Sequence, residues 1–110
     1  MNSIELFSGT GGLALGLQQA GFDHKALFEW DKASCENIKE NIANGYPGVR
    51  DWKVYQTDVR TVSYDGYTGN IQLVAGGPPC QPFSLGGKHQ AYNDKRDMFP
   101  EAVRAVRETQ

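Results

Sequence analysis

The stretch SIELFSGTGGLALGLQQAG, residues 3–21, decides the fold. Ser3-Ile4-Glu5-Leu6-Phe7 reads as a short strand, and the glycines that follow read as a turn. Leu13, Leu17 and Ala20 then recur at helical spacing, with Gly21 placed to end the helix. The loop satisfies G-x-G-x-x-A at Gly9, Gly11 and Ala14, and Glu29 stands twenty residues after Gly9. Glycines for a tight turn and close backbone approach, with an acid for ribose hydroxyls, suit an adenosine-bearing cofactor. A tight strand-to-helix turn alone would also explain the glycines, and the position of Glu29 favours the binding reading. Trp30 is placed either to stack on an adenine or to fill the core. Asp58 is either a second acceptor, for an adenine amino group, or a turn aspartate. A Walker A loop is excluded, because Gly87-Lys88 lacks the upstream glycine.

Outward from this unit the pattern repeats. Ala26-Leu27-Phe28 marks a second buried strand within residues 22–30, and Asp31 is placed to cap a helix whose Cys35, Ile38 and Ile42 share one face. Asn44-Gly45-Tyr46-Pro47 stops that helix. Residues 52–56 form a weaker strand, and residues 71–75 a fourth. Asp97 is expected to cap a last helix with Phe99, Val103 and Val106 on its apolar stripe. Strands alternating with helices predict an α/β fold, a Rossmann-like, doubly wound and mainly parallel sheet. Ligands then bind beyond the carboxyl ends of the strands, where strand order reverses.

The second informative stretch is GGPPCQPFS, residues 76–84, directly after the fourth strand. Pro79 and Pro82 fix their own φ and bias the residues before them toward extended backbone, so Cys80 is held in a preorganised loop. Such restraint serves a nucleophile that must meet an electrophilic carbon, and Lys88, Lys95 and Arg96 follow to lower a thiol pKa. A lone cysteine more often packs as a small hydrophobe. That reading fits Cys35, on the apolar face of its helix, whereas the prolines favour the reactive one for Cys80.

Composition bounds the partners. The 110 residues, 39% hydrophobic and 22% charged, fit one domain at most, and a net charge of −2 is not that of a self-sufficient nucleic-acid binder. No stretch approaches a membrane span, and the first strand begins too close to Met1 to leave room for a signal peptide, so a cytoplasmic protein is expected. Two cysteines and two histidines, His24 and His89, form no ligand-spaced cluster, so no metal site is expected.

Taken in order, these motifs resemble the amino-terminal part of the DNA (cytosine-5) methyltransferases over nearly the whole chain. ELFSGTGGL resembles that family's first motif, Glu29-Trp30-Asp31 its second, Thr57-Asp58-Val59 its third, GGPPCQPFS its catalytic fourth and Asp94-Lys95-Arg96-Asp97-Met98-Phe99 its fifth. The resemblance implies S-adenosylmethionine as cofactor. Phe7 would pack on the adenine, Ser8 would belong to the cofactor site, the backbone of Gly9, Thr10, Gly11, Gly12 and Leu13 would approach the methionine part, and Glu29 would hold the ribose. Trp30, Asp58, Val59 and Pro79 would complete the pocket. Cys80 would attack C6 of a cytosine flipped out of double-stranded DNA, because C5 is a poor nucleophile until a covalent adduct makes the ring an enamine. Gln81, Ser84, Lys88, His89 and Arg96 would lie in a loop that closes over the DNA.

The resemblance also has departures. Glu5 stands where the family usually has aspartate, and Asp97 and Met98 differ from its fifth motif. Residues 1–110 are read as the amino-terminal part of the catalytic domain. The family's glutamate for cytosine N3, its later arginine, its target-recognition region and its last cofactor-packing helix have no counterpart. The chain alone is therefore expected to be inactive, with a complementary polypeptide as a candidate partner and an uncovered sheet edge beside residues 71–75. Three alternatives compete: a cytosine-5 methyltransferase acting on RNA, a nicotinamide-dependent oxidoreductase domain, and a non-catalytic binding module.

Overall fold

The first strand, β1 (Asn2–Leu6), runs through the interior of a sheet that has four strands among the described residues, and it is buried on both faces. The computed structural model describes residues 1–78 and 98–110. Along them follow α1 (Gly12–Gln19), β2 (Asp23–Glu29), α2 (Lys32–Ala43), β3 (Val54–Gln56), two 3-10 turns (Val59–Thr61 and Asp65–Tyr67), β4 (Leu73–Gly76) and α3 (Phe99–Thr109). The order across the sheet is β3-β2-β1-β4, every pair parallel, so strand order reverses between β1 and β4. This is the doubly wound arrangement expected from the alternation of strands and helices.

Two apolar clusters hold the layers. Ile4, Leu6, Ala26 and Phe28 pack with Val59, Tyr64 and Ala105 on the face covered by the 3-10 turns and α3. Ala14, Leu27, Ile38, Val49 and Trp52 form the other, under α1 and α2. Both of these helices end as the glycines predict. Gly21 (φ +103°) donates to the Gln18 carbonyl while the Phe22 N–H reaches Leu17, and Gly45 and Tyr46 repeat the pattern at Ile42 and Asn41. Asp31 caps α2, accepting from the Ser34 amide at 2.9 Å. Cys35 is buried as expected, and burial pushes its thiol pKa up.

The apolar clusters leave a polar group inside. Ser3 and Glu5 of β1 are buried, and His24 of β2 lies between them. His24 Nδ1 shares a 2.6 Å hydrogen bond with Ser3 Oγ, its Nε2 is 3.4 Å from Glu5 Oε1, and its ring meets Trp52 edge-on. An extra residue in β2 between the pairs Ser3↔His24 and Ile4↔Ala26 brings the histidine into this place.

The structure corrects the sequence reading in three places. The weak strand is shorter than expected, since only Val54–Gln56 pairs, and Trp52 is instead a buried loop residue. The position capping α3 is Met98, with no side-chain cap, while Asp97 lies outside the described residues. The expected apolar stripe of α3 is turned outward: Phe99, Val103 and Val106 are exposed, and Ala105 and Thr109 are buried.

Arg104 is the physical reason for that orientation. Its guanidinium donates to the Val59 and Val62 carbonyls at 2.8 and 2.9 Å, pairs with Glu101 and Glu108, and lies 5.1 Å from the centre of the Tyr64 ring. Glu108 accepts the Tyr64 amide at 3.0 Å. Charge-assisted hydrogen bonds to the Val59 and Val62 carbonyls outweigh the burial of two valines that this orientation leaves exposed. Arg104→Leu should therefore lower stability by about 2–3 kcal/mol in urea unfolding. The Tyr64 amide and Arg104 hold the Glu108 carboxyl below its ordinary range. Its contribution is thus complete above about pH 5 and lost as pH falls through the lowered value, and Glu108→Gln should flatten this acid limb.

β4 ends at Gly76 with φ +155°, where a Cβ would lie 2.3 Å from the Leu6 carbonyl oxygen of β1. No side-chain rotation relieves a clash between Cβ and backbone. Gly76→Ala should therefore destabilise the chain by about 2–3 kcal/mol, read as a lowered urea midpoint; an unchanged midpoint would refute this account of the strand junction.

Candidate cofactor site

All the carboxyl ends of the strands open on one rim, and the loop after β1 rises at the reversal point. To leave β1 the chain turns sharply: Phe7 adopts φ +56°, a left-handed conformation unusual for an aromatic residue, and Gly9 has φ +56°. The Phe7 amide donates to Phe28, the neighbouring strand's last buried residue, and the Gly11 amide closes the turn on the Ser8 carbonyl. Phe7 rests partly on the core and Ser8 is buried, whereas Thr10 and Leu13 are exposed. Gly12 opens α1, whose first turn has no side-chain cap. Among the described residues, no heavy atom lies within 4 Å of where a Cβ at Gly9 or Gly12 would stand, so toward them the loop's outer surface is open. Gly11 faces inward, 3.4 Å from Ile38 and 3.5 Å from Trp52, counted from the place its Cβ would take.

Glu29, the last residue of β2, ties this loop down. Its Oε1 accepts the Gly9 amide at 2.7 Å and its Oε2 the Asp31 amide at 2.8 Å. One side chain therefore bridges the glycine loop and the start of α2, and each oxygen retains acceptor capacity for a hydroxyl. Trp30 beside it is 69% exposed, which settles its two readings against the core. With Asp31, Lys32, Gln56 and Thr57 it lines a groove of about 280 Å³ between the ends of β2 and β3.

The Thr57 amide donates to the Glu29 carbonyl at 2.9 Å and carries the chain to Asp58. There the turn reading holds: Asp58 opens the first 3-10 turn and accepts the Arg60 amide at 3.0 Å. Its carboxylate also pairs with the Arg60 guanidinium, which holds its pKa below the usual range. Val59 is a core residue, so only its backbone is left to meet a ligand. Pro79, Cys80, Gln81, Ser84, Lys88, His89 and Arg96 lie outside the described residues, and Gly76-Gly77-Pro78 leads to them from the end of β4.

The structure thus brings Phe7, the glycine loop, Glu29, Trp30 and Asp58 to one rim. An acid at the end of β2, an exposed indole, an open glycine backbone and uncapped helix amides fit an adenosine-bearing group with a carboxylate. Arg60, absent from the sequence reading, belongs to the same rim, and its place two residues beyond a turn aspartate is the only signal of it. Replacing Glu29 with alanine removes the acceptor of two backbone amides. The expected effect is a loss of about 1–2 kcal/mol and faster hydrogen exchange at Gly9 and Asp31, measured by amide-exchange NMR.

Known proteins share both the sequence and the architecture. The chain is 46% identical to the Type II methyltransferase M.NgoMIV of Neisseria gonorrhoeae over 97% of its length and 32% of the relative's. It is 42% identical to the Type II methyltransferase M.PspPI of Psychrobacter over 96% of its length and 24% of that protein's. The chain therefore spans about a quarter to a third of these relatives. A crystal structure described as a DNA modification methyltransferase encoded within an E. coli prophage superposes on all of this chain and 29% of its own, with a TM-score of 0.70 and 34% identity. The glycopeptide N-methyltransferase MtfA, solved with S-adenosylmethionine, shares the fold at a TM-score of 0.65 and 19% identity, covering 98% of this chain and 42% of its own. The family model of the C-5 cytosine-specific DNA methylases matches residues 1–110 from end to end, and the chain belongs to that family.

Proposed function

We propose that this chain is the amino-terminal part of the catalytic domain of a DNA (cytosine-5) methyltransferase, holding S-adenosylmethionine and supplying the nucleophile, Cys80. The observation that carries the reading is Glu29, fixed by two backbone amides between the glycine loop and the exposed Trp30. Glu29 accepts the ribose hydroxyls with its remaining lone pairs, Phe7 and Trp30 flank the adenine, and Asp58 takes the adenine amino group. The uncapped amides at the start of α1 receive the carboxylate of the amino-acid part. When bound, the cofactor supplies an electrophilic methyl group.

Cys80, on the segment that β4 launches at the reversal point, adds as thiolate to C6 of a cytosine extruded from duplex DNA. The new S–C6 bond raises electron density at C5, which would take the methyl carbon as the methyl–sulfonium bond breaks, the thioether S-adenosylhomocysteine leaving with that electron pair. Loss of the C5 proton to a base and expulsion of the thiolate then restore the aromatic ring. Such a base and the reader of the DNA sequence are assigned to polypeptide beyond this chain's share of its relatives. Among the described residues β4 ends the sheet, and its free edge is the place where that polypeptide docks. Alone the chain transfers no methyl group. Among the described residues no helix is long and apolar enough to cross a membrane.

Calorimetric titration tests the cofactor half of the reading. S-adenosylmethionine should bind saturably and NAD should not, and Glu29→Ala should weaken binding about tenfold or more. For the catalytic half, the chain is combined with a polypeptide carrying the family's remaining motifs, and methyl transfer to duplex DNA and matched RNA is measured. Transfer to cytosine in DNA should fall by roughly a thousandfold or more in Cys80→Ser. Undiminished transfer would remove Cys80 from the chemistry, and a preference for RNA would reassign the substrate.

A further inference from the structure

One residue surrounds the Asp58 carboxylate. The Arg60 amide donates to Oδ1 at 3.0 Å, Arg60 Nε lies 3.0 Å from both Oδ1 and Oδ2, and the terminal guanidinium nitrogen donates to Oδ2 at 2.6 Å. A carboxylate offers about four acceptor positions. These contacts therefore engage Asp58 nearly completely, yet they are not buried: the two side chains are 18% and 55% exposed. The amide contact belongs to the turn and stays with it. The guanidinium contacts are the removable part, because an exposed pair gains little over hydration and is weakened by salt.

We propose that Arg60 is an affinity-determining residue of the cofactor site, an internal competitor whose guanidinium holds the acceptor positions that the adenine amino group takes on binding. The inference rests on the proposed role of Asp58 as the acceptor for that amino group. The amino group donates to Asp58 in place of the guanidinium, while the Arg60 amide keeps the carboxylate oriented. Arg60 thereby lowers affinity for the adenosine part without touching the ribose or the amino-acid part.

The test is calorimetric titration of the 110-residue chain with S-adenosylhomocysteine, and with its counterpart carrying hydrogen in place of the 6-amino group. The unaltered chain, Arg60→Gln and Asp58→Ala are compared at low and high sodium chloride. Arg60→Gln should bind S-adenosylhomocysteine about three- to fivefold more tightly at low salt, the scale of an exposed ion pair. That advantage should shrink at high salt and vanish for the counterpart lacking the amino group. Equal or weaker binding by Arg60→Gln overturns the competitor role and leaves the cofactor reading intact. Undiminished binding by Asp58→Ala overturns the role of Asp58 as acceptor and this inference with it, leaving the cofactor reading intact, whereas no binding by the unaltered chain overturns the cofactor reading as well. Thermal melts of Arg60→Gln, expected to match the unaltered chain, separate the effect from folding.

Discussion

The close approach of β1 and β4 at their carboxyl ends is the constraint on which the rest depends. Leu6 and Gly76 are paired across the point where strand order reverses, and only a residue without a Cβ fits beside the Leu6 carbonyl. From this junction the glycine loop departs on one strand and the segment leading to Cys80 on the other. Parallel strands at ordinary spacing thus set the starting points of two chemically different segments side by side. The proposed chemistry requires such adjacency, because a methyl donor and a nucleophile must reach neighbouring atoms of one pyrimidine ring.

Much of this was legible in the sequence because it obeys local rules. The strand, glycine turn and helix over residues 3–21, the Asp31 cap and the glycine stops at Gly21 and Gly45 depend on neighbours within a few positions. The position of Glu29 at the end of β2 followed from the strand pattern. Its actual bonds, to the amides of Gly9 and Asp31, show why an acid twenty residues away from the loop belongs to it.

What was not legible depends on distant partners. The face of α3 could not be read from its own periodicity, because Arg104 finds carbonyl acceptors on a 3-10 turn more than forty residues earlier. Apolar spacing assumes that the buried side of a helix is its most hydrophobic side, and here the buried side is organised by a charge. Nor does any periodicity announce that Glu5 and His24 meet inside the sheet; an extra residue in β2 sets that register. The engagement of Asp58 by Arg60 is local, but a turn aspartate and a ligand acceptor look alike in sequence, and this residue has the geometry of the first and the place of the second.

The pairing of β1 with β4 also has a temporal side. The first three strands lie next to their sequence neighbours, whereas Asn2 bonds Gln72 across 70 residues of chain. Closing so long a loop is entropically unfavourable until the intervening units have condensed, so β4 joins a sheet that β1, β2 and β3 have already begun. During synthesis β1 leaves the ribosome before β4 and waits with one edge open, and β4 must emerge before that edge is covered. The glycine loop is therefore shaped before the chain beyond Gly76 gains its anchor, and folding separates in time two loop origins that the finished sheet holds together.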